Sequence, residues 1–185
     1  MNWSLPDPML TANVDSPLLP PGWAVEPKWD GFRALLSVDT GRVVLRSRRG
    51  TDMAPAFPEI VAGGCAAAGR DRAGRRAGRM GRRGPPRVRA VAEPACPARR
   101  RAARAAEEWP AHFVAFDLLR LSGTDTTGWP YRRRRAALES LFTARQLTAP
   151  WTLYPSTTEA GVVRELLTWA SVGMEGSVFR SHLIW

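Results

Sequence analysis

Short apolar runs, set apart by glycine, proline and polar clusters, dominate the pattern of the chain. Two of them, Trp23–Val38 and Arg42–Arg48, meet at Asp39-Thr40-Gly41 and predict a β-hairpin. Its first arm contains the β-rich stretch Phe32–Val38, and its second alternates from Val43 onward. Ala54–Ala62, following Thr51 and Asp52, predicts a short helix. Ala111–Leu121 is almost continuously apolar, the pattern of a buried strand, and Ser122–Asp125 follows it as a turn. Tyr131–Phe142 reads as a basic amphipathic helix that opens on Arg132–Arg135 and offers Ala136, Leu138, Leu141 and Phe142 to a core. Ala149–Pro155 predicts a short strand, Thr157–Val172 an amphipathic helix and Glu175–Arg180 a last strand. No internal repeat is visible. This order gives an α+β fold, with strands paired as hairpins more often than alternating in βαβ units.

The 185 residues suit about one domain, and 44% apolar with 24% charged residues is ordinary for a globular protein. No apolar run approaches the ~20 residues that cross a bilayer, so no membrane partner is expected. The first thirty residues show no basic segment ahead of an apolar core, hence no secretory signal. Residues 1–22 are Pro-rich and polar, a lead-in. Cys65 and Cys96 cannot build a disulfide framework, which points to a reducing cytoplasm.

The net charge of +10 suggests a nucleic-acid partner until its distribution is considered. Gly63–Ala106 spends 37 of its 44 positions on Arg, Ala, Gly and Pro, including 13 arginines against only Asp71 and Glu93. This segment carries +11, the rest of the chain −1, and all eight tryptophans lie outside it. Its composition cannot bury enough apolar surface to offset chain entropy, so it predicts disorder or poorly packed coil. A basic nucleic-acid-binding segment is the functional reading. A genetic reading stands beside it, because Ala, Arg, Gly and Pro codons begin with two G or C bases. Read from the second base of each codon, Met80 followed by Gly81 forces TGG, a tryptophan codon. Gly74–Ala95 then permits Asp-Gly-Glu-Leu-Val-Val-Trp-Asp-Ala-Ala-Gly-Arg-Leu-Ala-Phe-Glu-Arg-Leu-Gln-Asn-Arg, a strand-like run followed by a helix-like pattern.

Lys28 is the only lysine; the other 26 basic residues are arginine. An amine can lose a proton and attack, which a guanidinium does not do. Taken alone, Lys28 is better explained as a surface residue in a GC-rich gene where lysine codons are scarce. Its setting, Glu26-Pro27-Lys28-Trp29-Asp30-Gly31-Phe32-Arg33, puts an amine, a carboxylate and a guanidinium around a bend that glycine permits. This octet resembles the first motif of the covalent nucleotidyltransferases, above all the ATP-dependent DNA ligases. Leu45–Gly50, with Asp52, Phe57, Pro58 and Glu59 after it, is similar to the next ligase element. Phe113–Leu119 resembles the strand whose aromatic packs on adenine, and Glu175–Arg180 the motif that normally reads Glu-Gly-x-x-x-Lys.

The resemblance implies a ligase-type nucleotidyltransferase domain, with antiparallel sheets flanked by helices. Residues 23–180 would be a partial adenylation domain, interrupted by 63–106. It implies that Lys28 attacks the α-phosphate of ATP with Mg²⁺ assistance and holds AMP as a phosphoramidate. Arg33 and Arg48 would contact ribose or phosphate, and Glu26 and Pro27 would border the adenine edge. Phe116 would stack on the base, and Glu175 would help place the metal or the reacting phosphate. Nicked double-stranded DNA would be the partner. Without the resemblance, Phe116 is a core residue first, Arg48 a solvated strand residue, Glu175 a junction charge and Asp30 a turn former. His112 and His182 have no metal-ligand spacing, and no Cys–His zinc pattern exists. Three departures imply an impaired enzyme. The Asp-Gly-Glu strand is present only in the shifted frame, Arg180 replaces the usual lysine, and the 185 residues include neither the later lysine motif nor an OB-fold domain. An RNA ligase or other covalent nucleotidyltransferase, and a non-catalytic basic nucleic-acid-binding protein, stay open as alternatives.

Overall fold

The structure is a computed structural model that describes residues 19–29, 31–39, 42–68, 75–82, 97–159, 161–163, 165 and 174–181. Asp30, His182 and most of the expected Thr157–Val172 helix lie outside the described residues.

Among the described residues, eight strands form two sheets. The first arm of the expected hairpin is two strands rather than one, β1 (Trp23–Trp29) and β2 (Phe32–Asp39). They part at Gly31, whose φ of 158° suits a residue without a side chain. The hairpin itself is present: β2 pairs antiparallel with β3 (Arg42–Ser47), from Ala34 opposite Ser47 to Asp39 opposite Arg42. A 3₁₀ turn at Ala54–Ala56 leads into helix α1 (Pro58–Ala68), longer than the expected helix.

The expectation of unpacked coil across 63–106 fails wherever this stretch is described. Its start completes α1, where a Cβ on Gly63 or Gly64 would lie only 2.7 Å from Pro150 or 2.8 Å from Val43. Strand β4 (Arg75–Arg82) then runs between β2 and β5 (Ala111–Leu121), antiparallel to both. Helix α2 (Pro97–Glu108) follows. Composition weighs side-chain burial, whereas a central strand is held by main-chain hydrogen bonds from both neighbours. With β4 in place, β2 and β5 present no open inner edges.

Of the remaining elements, α3 (Tyr131–Ala144) and β8 (Met174–Ser181) follow the apolar pattern, β7 (Trp151–Leu153) is shorter than the expected strand, and β6 (Thr124–Asp125) falls where a turn was expected. The large sheet runs β3-β2-β4-β5-β6, with β7 parallel to β5, and β1 and β8 form a separate antiparallel pair. The α+β expectation holds. The alternation of β2 puts Ala34, Leu36 and Val38 on the core face, against Leu45, Phe57, Ile60, Phe113, Leu118, Leu138 and Trp151. This core lies between the sheet and helices α1 and α3, leaving Arg33, Leu35 and Ser37 on the opposite face of β2.

Candidate functional site

On β1, Val25 faces a small apolar cluster with Val163, while Glu26 and Lys28, two residues apart, share the other face. Lys28 pairs across the ladder with Gly176 and Glu26 with Val178. Gly176 has a φ of 153° and open space where a Cβ would stand, so the cross-strand position opposite the lysine is bare.

Glu26 is almost fully buried, and both of its oxygens accept bonds. The Tyr131 hydroxyl donates to Oε1 at 2.6 Å, and Arg180 Nε donates to Oε2 at 2.8 Å. Burial pushes the Glu26 carboxyl above its ordinary range, opposed by the charge of Arg180 and by hydrogen bonds from Tyr131 and Arg180. Burial likewise raises the Tyr131 phenol, and the neighbouring Glu26 charge adds to that. For Arg180, burial works against the charge, but Glu26 and Asp117 outweigh it and the guanidinium is held more firmly protonated.

Phe116 owes its aim to a break in the ladder. Gly78 lies opposite Ala115 and Ala77 opposite Asp117, so Phe116 is the extra residue of a β-bulge. Its buried ring has the Arg180 guanidinium 5.4 Å and the Arg33 guanidinium 5.8 Å from its centroid, with Tyr154 edge-on at 6.0 Å. Asp117, next in sequence, receives Arg134 through Nε at 2.8 Å and Nη2 at 3.1 Å, while Arg180 Nη1 stands 3.7 Å away. The small sheet has a bulge of its own. Lys28 faces Gly176 but Trp29 faces Met174, so Glu175 is the extra residue beside the lysine.

Glu26 and Phe116 thus meet at Arg180, Arg33 approaches the same Phe116 ring, and Lys28 lies on the face of Glu26. Arg48 is exposed, in the turn after β3, and its amide donates to the Arg33 carbonyl at 3.2 Å, placing it beside this group. His112 lies apart, 3.5 Å from Thr152 Oγ1. Among the described residues, no three His, Cys, Asp or Glu side chains cluster as a metal site. The donors fit a nucleotide better: an aromatic face for a base, guanidinium groups for phosphates, and an amine.

Tyr131, Arg134 and Asp117 went unnoticed in the sequence. The usable signal was Asp117, an acid inside an apolar strand, which burial obliges to find a partner. Arg134 belongs to a four-arginine run that reads as a solvated face, yet it is buried against that acid.

No protein-family model matches the chain. DNA ligase C2 of Mycolicibacterium smegmatis is 40% identical over 153 residues, covering 72% of this chain and 37% of the relative. The ligase domain of M. tuberculosis LigD superposes with a TM-score of 0.62 at 27% identity, over 87% of this chain and 49% of that one. The chain belongs to the ATP-dependent DNA ligases. A mycobacterial DNA ligase D complexed with ATP and MES gives a TM-score of 0.61 at 26% identity, over 87% of this chain and 48% of that one. The chain spans less than half the length of each of these proteins. The part it carries is that of a ligase adenylation domain, and no helix among the described residues is long and apolar enough to cross a membrane.

Proposed function

We propose that this chain binds ATP on the Phe116 face and carries its adenylate on Lys28. The reading is carried by the gathering of Glu26, Arg33, Phe116 and Arg180 beside the strand face that bears Lys28. The neutral Lys28 amine attacks the α-phosphorus. A P–N bond forms, the bond to pyrophosphate breaks, and the amine gives its proton to solvent. Arg33 and Arg48 direct their forked donors at ribose and phosphate, and Phe116 stacks on the adenine. The backbone beside Glu26 and Pro27 borders the base edge. Mg²⁺, when bound, offsets charge on the phosphate oxygens, with Glu175 the residue to help hold it.

The substrate downstream is a nicked DNA duplex, whose 5′-phosphate takes the adenylate before the 3′-hydroxyl displaces AMP. The ligase relatives favour DNA over RNA. Residues 23–180 act as the adenylation part behind a lead-in of 1–22. The Asp-Gly-Glu strand is present only in the shifted frame, and Arg180 stands in place of the lysine that the family resemblance expects, so the reaction is slow. Incubation with α-labelled ATP and Mg²⁺ should leave a weak covalent label that disappears in Lys28→Ala. Label persisting in that variant would overturn the assignment of the nucleophile.

A further inference from the structure

Arg180 joins parts of the molecule that no strand ladder joins. Strand β1 pairs with β8 and not with the large sheet, yet Lys28 on β1 must meet a nucleotide seated on Phe116 of β5. One guanidinium spans the gap. Its Nε donates to Glu26 of β1 at 2.8 Å, its Nη1 approaches Asp117 of β5 at 3.7 Å, and its Cζ lies 5.4 Å from the Phe116 centroid and 5.2 Å from that of Tyr131. An ammonium at this position is a point donor. It can neutralise Glu26 but cannot offer separate nitrogens in a fixed plane to two acids and two rings.

We propose that Arg180 is a positioning residue, which ties the Lys28 strand to the Phe116 strand by bridging Glu26 and Asp117. The proposal rests on the nucleotide reading above. Arg180 reaches Glu26 and Asp117 at once and so fixes β1 in the register that brings Lys28 to the α-phosphate. The charged or titratable groups facing Glu26 are Arg180 from β8 and Tyr131 and Arg135 from α3. Asp117 of β5, paired with Arg134, lies behind Arg180, and Lys28 is two residues along the same strand.

The test uses the whole chain with Arg180→Lys, Arg180→Met and the double variant Glu26→Gln/Arg180→Met. Hydrogen exchange of the β1 amides reads the tether, and calorimetry at acidic and neutral pH reads ATP affinity. Arg180→Met should bind ATP about tenfold more weakly at neutral pH, the order of one lost charge-assisted bond. It should stay weak as the pH falls, because protonating Glu26 removes a lone charge but does not restore the bridge to Asp117. Arg180→Lys should likewise show weaker binding, together with faster β1 exchange. The double variant leaves position 26 uncharged and Asp117 paired with Arg134, so it should fold, yet still bind weakly, because the bridge is absent. Wild-type affinity in the double variant would overturn the proposal, since Arg180 would then only neutralise Glu26. Unchanged β1 exchange in Arg180→Lys would overturn the tether. A wild-type chain that binds no ATP would instead overturn the nucleotide reading and the positioning role with it, while exchange would still report whether β1 is tethered.

Discussion

Phe116 and Glu175 hold equivalent positions in two different ladders: each is the unpaired residue of a β-bulge, one on β5 and one on β8. A bulge bends its strand and re-aims one side chain, and bulges gather beside active sites. In β5 the consequence is direct. Phe113 and Ala115 before it and Leu118 after it differ in parity, and the extra residue lets all three face the core while Phe116 meets Arg180.

The stacking role of Phe116 is open to a clean substitution. Phe116→Leu keeps the site apolar but removes the flat π surface. ATP affinity should fall by about 1–3 kcal/mol, the usual worth of an aromatic face to a base, with a smaller change in folding stability. Calorimetric titration checks this, and affinity equal to wild type would leave Phe116 as a core residue only.

Arg134 should be far more costly to lose than its neighbours in the arginine run. It and Asp117 are both buried, and the guanidinium grips both carboxylate oxygens. Arg134→Met leaves Asp117 buried with a single distant cation, so urea denaturation should show a loss of about 3–5 kcal/mol. Arg132→Met, at an exposed position on the same helix, should change stability by less than about 0.5 kcal/mol. Equal effects would mean that the Arg134 pair is solvated.

Tyr131 predicts an alkaline signature. Its folded-state pKa is raised above the ordinary 10.0 by burial and by Glu26, so its contribution is complete below that value. Above pH 10.0 the phenol ionises in the unfolded chain first, and stability drains away as the pH rises toward the folded-state value. Tyr131→Phe should therefore be less stable by about 1.5–3 kcal/mol at neutral pH, the worth of a buried bond to a charged group. The gap should narrow above pH 10.0, measured by denaturation on both sides of it. A gap that stays constant there would mean the phenol titrates normally.

What could be read from the sequence divides along a physical line. Strands and helices with a strong apolar period, such as Ala111–Leu121 and Tyr131–Phe142, declare their own burial, and both stand close to where the pattern puts them. The Lys28, Arg33 and Phe116 neighbourhoods were legible because short motifs hold them. The partition of Trp23–Val38 into two sheets was not, since it turns on one glycine and on pairings with β8, far along the chain. Nor was the Glu26–Arg180 contact, which joins residues 154 apart. Strand β4 was hidden for a different reason: its letters argue against a strand, and only the needs of β2 and β5 argue for one.

That conflict between letters and place gives the last prediction. β4 occupies the centre of the sheet, yet reads Arg-Arg-Ala-Gly-Arg-Met-Gly-Arg. Gly78 stands opposite Ala34 on one side and Ala115 on the other, both buried core residues, so three small residues lie in one row. Met80 stands between Phe32 and Phe113. The shifted frame offers Glu-Leu-Val-Val-Trp here, and the ladder selects one register for it. Position 77 lies opposite Leu35 and Asp117, on the face of the sheet that holds Arg33, so the glutamate belongs there and leucine at 78. The five changes Ala77→Glu, Gly78→Leu, Arg79→Val, Met80→Val and Gly81→Trp should therefore fill the small row and supply β-favouring residues at the centre of the sheet. Burying the added leucine alone is worth about 1.5–3 kcal/mol, and removing a glycine from a strand interior adds to it. Urea denaturation should show a gain of at least that size, and ATP affinity should rise because an acid then faces the ribose beside Arg33. A less stable variant would show that the arginine-rich letters suit this strand, and the shifted-frame origin of the stretch would fall with that result.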